Sequence, residues 1–189
     1  LGQFQQLEKL SIKNSNLKKL PAAIFELSSL KTLHIEVSEL TSLNEAIQKL
    51  KNLQDLRITH CPLKQLPASL SECKKLEILA IYHTALHDIP DTFQEMQNLR
   101  SITLSDNQLR EVPPSLFSSK VLSFVSLSNN QLKQVPEEIA MHPQLKYLHL
   151  EDNQIARLPV SFDQLQALFS YKLAGNPLKK MPLGLAQLI

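Results

Sequence analysis

The chain has 189 residues, with 20 basic against 18 acidic side chains, a net charge of +2, and leucine at 37 positions. A content of 43% hydrophobic and 20% charged residues excludes a disordered tail, and no apolar run approaches the roughly 18 residues of a membrane span. The near-neutral balance argues against a dedicated nucleic-acid binder, and three scattered glycines (Gly2, Gly175, Gly184) are too few for a phosphate-cradling loop.

No signal peptide is visible, and the chain opens at Leu1 without a methionine, so an upstream segment is expected to be missing. The two cysteines, Cys61 and Cys73, form no C-x-x-C pair, and no N-x-[ST] sequon occurs. A cytoplasmic location is expected, with a bacterial secreted effector as the alternative.

In chain order, residues 1–6 read as the end of a partial repeat, with Leu1 and Phe4 on its apolar side. The first full repeat starts at Leu7-x-x-Leu10-x-Ile12, and the same frame returns at residues 30, 53, 76, 99, 122, 145 and 168. Every step is 23 residues, without insertion. Numbering each repeat from its first Leu, position 11 is Leu or Ile in all eight copies, from Leu17 to Leu178. Position 14 is apolar throughout, and position 15 is proline in seven copies, Asn44 being the exception.

Two periods give the fold of one repeat. Positions 4 and 6 alternate with polar residues, which predicts a short strand with one buried face. After the proline, positions 18, 21 and the next position 1 (Ile24, Leu27 and Leu30 in the first copy) predict a short helix. Neither element buries its apolar side alone, so neighbouring copies must stack. The expected class is an α/β solenoid: one parallel sheet on the concave face, short helices on the convex face, and a single domain over residues 1–189.

The pattern L-x-x-L-x-L-x-x-[NSCT]-x-L-x-x-L-P-x-x-[apolar] resembles the leucine-rich repeat over residues 7–189. It is most similar to the 23-residue class of intracellular Ras-suppressor and plant Ras-group-related proteins, and to bacterial repeat proteins of similar period. The resemblance implies a protein-recognition scaffold whose ligands bind the concave face, at positions 3, 5 and 7 with 2 and 8 at its margins. It also implies a buried ladder at position 9. Asn107, Asn130, Asn153 and Asn176 fill that ladder in the last four repeats, whereas Ser15, Ser38, Cys61 and Thr84 stand in the first four. Shorter side chains make fewer bonds, so a less tightly tied N-terminal half is expected. Neither terminus carries a recognisable cap, and the chain is expected to be part of a longer one.

The concave charges balance, so the expected ligand is a protein or peptide and no nucleic acid. Small residues (Ala80, Thr103, Ser105, Ser126, Ser128) suggest a shallow floor. Around it stand Arg57, His60, Ile78, Tyr82 and His83 on one side, and Phe124, Tyr147, His149 and Glu151 on the other. Aromatics and arginine round a small-residue floor have the composition of an interface hot spot. His60 and His83 occupy position 8 of adjacent repeats, but no fourth ligand accompanies them with His87, so no metal is expected.

Cys61 and Cys73 fall on opposite sides of the core and are expected to be inert. Ser119 and His142 replace leucine at position 21, where they are expected either to bond each other or to loosen the helix side. His34 with Glu36 and His149 with Glu151 share a strand face, but no nucleophile elbow or oxyanion site stands beside them. No catalytic residue, enzyme activity or cofactor is expected. The alternative function is the substrate-recognition part of a larger enzyme, such as a bacterial effector ligase.

Overall fold

The computed structural model describes residues 4–179. Eight parallel strands form one open sheet in chain order: β1 (Lys9–Ser15), β2 (Thr32–Ser38), β3 (Asp55–Cys61), β4 (Ile78–Thr84), β5 (Ser101–Thr103), β6 (Phe124–Ser126), β7 (Tyr147–His149) and β8 (Ser170–Lys172). Leu10 pairs with Leu33, Leu33 with Leu56, and so on to Leu148 with Tyr171, always 23 residues apart. The register read from sequence is therefore the register of the sheet.

The convex elements are 3₁₀ rather than α-helices, for example Ala22–Glu26, Ala68–Glu72 and Glu137–Met141. The cause lies in the spacing. Positions 15, 18, 21 and the next 1 are three residues apart, and a helix with three residues per turn stacks them on one face. In the first repeat the Ile24 N–H donates to Pro21, Leu27 to Ile24 and Leu30 to Leu27, at 3.0–3.2 Å. Asn44 keeps the extended backbone of the prolines it replaces, and its side chain accepts from the Ala46 N–H at 2.7 Å. The one missing proline is thus exchanged for a side-chain cap.

Strands and 3₁₀ turns enclose a single continuous core in which Leu30, Leu53, Leu76, Leu99, Leu122 and Leu145 are buried. Each buried leucine is worth about 1.5–3 kcal/mol. Cys61 and Cys73 are both buried and unbridged. Burial pushes the Cys73 thiol up to about 11, which leaves it protonated and unreactive at neutral pH.

The two halves are tied differently, and this corrects one expectation. Strands β1–β4 span seven residues each, whereas β5–β8 span three. In the second half, Asn130 Nδ2 donates to the carbonyls of Leu104, Leu127 and Ser128, and its Oδ1 accepts from the Leu109 N–H. Asn107, Asn153 and Asn176 repeat this pattern. In the first half, Ser38 Oγ lies 3.0 Å from Cys61 Sγ, Cys61 Sγ donates to the Thr59 carbonyl, and Ser15 Oγ has no partner. There the backbone ladder simply runs on to position 9. The N-terminal half is not less tied; it is tied by main chain instead of amides.

Position 8 has a feature that the sequence reading missed. Asn14, Val37, His60, His83, Asp106, Asn129, Asp152 and Gly175 all take the left-handed backbone, with φ between 49° and 70°. Asn, Asp, His and Gly tolerate that region; Val does not.

Candidate recognition surface on the sheet

The concave-face residues sort by position. Ile78, Phe124 and Tyr147 open β4, β6 and β7. Arg57 and His149 lie at position 5, Tyr82 and Glu151 at position 7, and His60 and His83 at position 8. All nine are exposed or half-buried, pointing away from the core. The floor is as small as expected: Ala80, Ser105, Ser126 and Ser128 are buried. Ser105 and Ser126 share a hydrogen bond of 2.7 Å, and Ser128 donates to Glu151 at 2.6 Å.

The structure gathers these residues into two groups. In the first, the His60 and His83 rings are 4.7 Å apart and Tyr82 stands edge-on to His83 at 5.5 Å. His83 Nδ1 lies 3.6 Å from Asp106. Arg57 is held on its own strand, with Nε 2.9 Å and Nη2 3.1 Å from the Asp55 carboxylate. That bond holds the guanidinium above its usual range, although burial opposes it.

The second group is more apolar. Phe124 lies 6.0 Å from Tyr147 and 5.5 Å from His149. Tyr147 in turn meets Phe169 at 5.9 Å. Phe169 is 83% exposed at the position 2 margin; the sequence reading passed over it, although it is the one aromatic in that row. Ile78 joins neither group, and no ring contact among the described residues bridges them across β5. Sequence reasoning placed both groups on one face, but it did not show that repeat 5 separates them.

Charges here are largely paired. Burial lowers the His149 imidazole, against the pull of Glu151. Burial would raise the Glu151 carboxyl, but the Ser128 hydroxyl, a backbone bond and Lys172, 3.5 Å away, together hold it below its ordinary value. Among the described residues, no group of three His, Cys, Asp or Glu side chains is arranged to hold a metal ion. No helix among them is long and apolar enough to cross a membrane.

On the convex side, Ser119 donates to the Gln97 carbonyl at 3.0 Å and does not meet His142. Both His142 ring nitrogens are buried without a partner. The expected bond between the two is thus absent, because Ser119 is satisfied by the preceding repeat.

An open parallel sheet backed by 3₁₀ turns with a fixed 23-residue step is a solenoid. The chain belongs to the leucine-rich repeat family: residues 5–63 and 120–178 match the model described as leucine rich repeat, and residues 98–119 match a second model of the same description. Such domains generally mediate protein–protein interactions and are typically non-catalytic. A solved LRR protein from Leptospira interrogans is similar, with 28% identity and a TM-score of 0.79 over 99% of this chain. The alignment takes in 54% of that protein, so the present chain spans about half its length. No curated protein sequence matches the chain.

Proposed function

We propose that this chain is a protein-recognition module that binds a partner's loop, helix or extended segment on the concave face of repeats 3 to 7. The observation that carries this reading is the Phe124–Tyr147–Phe169 ring series, which lies on the solvent side of the sheet where core packing gives it no role. Tyr82 with His60 and His83 forms a second anchor group, and Arg57, Ile78, His149 and Glu151 fill the margins.

The mechanism is preorganisation. Tyr82, Phe124 and Tyr147 stand on strands fixed by their neighbours, so binding orders few groups and little entropy opposes it. Aromatic anchors then carry most of the affinity. The eight repeats act as one domain, and two unbridged cysteines suit action in the cytoplasm.

A crosslinking pull-down from source lysate, comparing the wild type with the Tyr82/Phe124/Tyr147→Ala variant, tests the reading. A partner captured by the first and lost by the folded variant is the expected result. Equal capture by both would move the site off the concave face.

A further inference from the structure

The geometry points to a second binding site, on the side of the solenoid away from the sheet. We propose that a trough across repeats 4 to 6 takes a basic, extended peptide segment of a partner protein, with an apolar side chain of that segment seated beside His142. Two cavities, of about 660 and 390 Å³, make up the trough and share Pro114 and Glu138 as common walls.

The larger cavity has an apolar floor that includes the buried side chains of Ile89 and Val112, with prolines between repeats. Four carboxylates, Asp88, Asp91, Glu111 and Glu138, stand on its walls, and no lysine or arginine does. Arg110 and Lys133 neighbour these residues in sequence but lie outside the walls. Among the described residues, none of the four carboxylates has an ion-pair or side-chain hydrogen-bond partner. Elsewhere on the same side of the molecule, Glu26 is paired with Lys49, Glu72 with Lys51 and Glu95 with Lys74. Uncancelled negative charge over low-dielectric walls draws in cations. With no three potential metal ligands grouped there, the cation it suits is a side chain rather than an ion.

The smaller cavity fixes the other end. It is lined mainly by apolar groups, among them Phe117 and Met141, and Met141 is exposed. His142 forms part of its wall, is 4% exposed, and has neither ring nitrogen bonded. Those ring nitrogens are covered, so what this end presents to a segment is the apolar lining around Phe117 and Met141, which suits an apolar side chain. Lys120 at this end repels basic residues, so the segment is oriented with its cations over the larger cavity.

Selection of displayed random peptides on the whole chain, with counter-selection on Asp88→Asn/Glu111→Gln, tests the proposal. Peptides lost on that variant are expected to be rich in Arg or Lys beside an apolar residue. A synthetic copy should bind the variant about tenfold more weakly, but bind Glu26→Gln/Glu72→Gln, which removes the same charge, within about twofold. Met141→Ala should weaken it too, and Tyr82/Phe124/Tyr147→Ala should leave it unchanged, which separates this site from the concave one. Equal weakening by the two charge variants would reduce the effect to net charge and overturn the proposal. So would a set of lost peptides without basic residues. Self-association of the chain abolished by Asp88→Asn/Glu111→Gln would give the trough to a second copy instead.

Discussion

The Thr84 hydroxyl donates to the amide oxygen of Asn107 at the joint where the long strands end and the asparagine ladder begins. Asn107 also donates to Ile81, Leu104 and Ser105 carbonyls at 2.8–3.0 Å, so one side chain couples the main-chain-tied half to the amide-tied half. Asn130, one repeat on, makes four bonds with backbone alone. Asn130→Ala strands the Leu109 N–H and takes one of two donors from each of the Leu104, Leu127 and Ser128 carbonyls, and is expected to cost on the order of 2–3 kcal/mol. Ser38→Ala removes a Leu40 N–H contact of 3.3 Å and a weak sulfur contact, and should cost about 1 kcal/mol or less. Urea midpoints of the two variants test this, and similar losses would contradict the two-halves account.

Val37 is the one β-branched residue in the left-handed row, at φ 50°, and it is 46% exposed. Its side chain gains little from burial and strains the backbone. Val37→Asn, the residue found at the equivalent Asn14 and Asn129, is expected to stabilise by about 1 kcal/mol. A lower thermal midpoint than wild type would show that the valine is worth more than its conformation costs.

At the last described turn the sign reverses. A β-carbon on Gly175 would lie 2.1 Å from Asp152 Oδ1 and 3.1 Å from its Cα, on a backbone at φ 70°. The carboxylate can swing aside; the backbone cannot. Gly175→Ala is expected to cost about 1–2 kcal/mol, read by the same thermal scan.

Burial holds the His142 imidazole below its ordinary value of about 6.5, and the Phe117 carbonyl, near but not in bonding geometry, opposes this only in part. The unfolded chain therefore binds this proton first. Stability should be level above that value and fall as the pH drops through it towards the lower folded value. His142→Leu restores the leucine of position 21 and should flatten this part of the profile while raising stability at pH 6. Parallel wild-type and variant profiles would place the pH dependence on other groups.

Most of the fold was legible because its determinants are periodic. Leu10, Leu33 and Leu56 fix the register by recurring at one spacing, and Asn107 to Asn176 mark the ladder by identity. Helix type was harder to read, since positions 18 and 21 satisfy an α pattern loosely and a 3₁₀ pattern fully. Strand length was not legible at all. Ser38 and Cys61 bond too little to show that the backbone ladder would extend as far as them. Of the candidate surface, the outward direction of Tyr82, Phe124 and Tyr147 followed from register, but the left-handed backbone at His60 and His83 did not. Side-chain chemistry was read there, whereas conformational tolerance also accounts for histidine at that position. Phe169 was missed because it lies on a margin, and the His142 trough because segments of three successive repeats build it.

We propose that the sheet face holds the partner. A photo-crosslinking residue placed in turn at Ile78, Tyr147, Glu26 and Glu72 tests it most directly. Ile78 and Tyr147 open strands on the sheet face, and Glu26 and Glu72 close 3₁₀ turns on the opposite side. One and the same partner adduct is expected from positions 78 and 147, and none from 26 and 72. Adducts from the turn positions with silence on the sheet would contradict it.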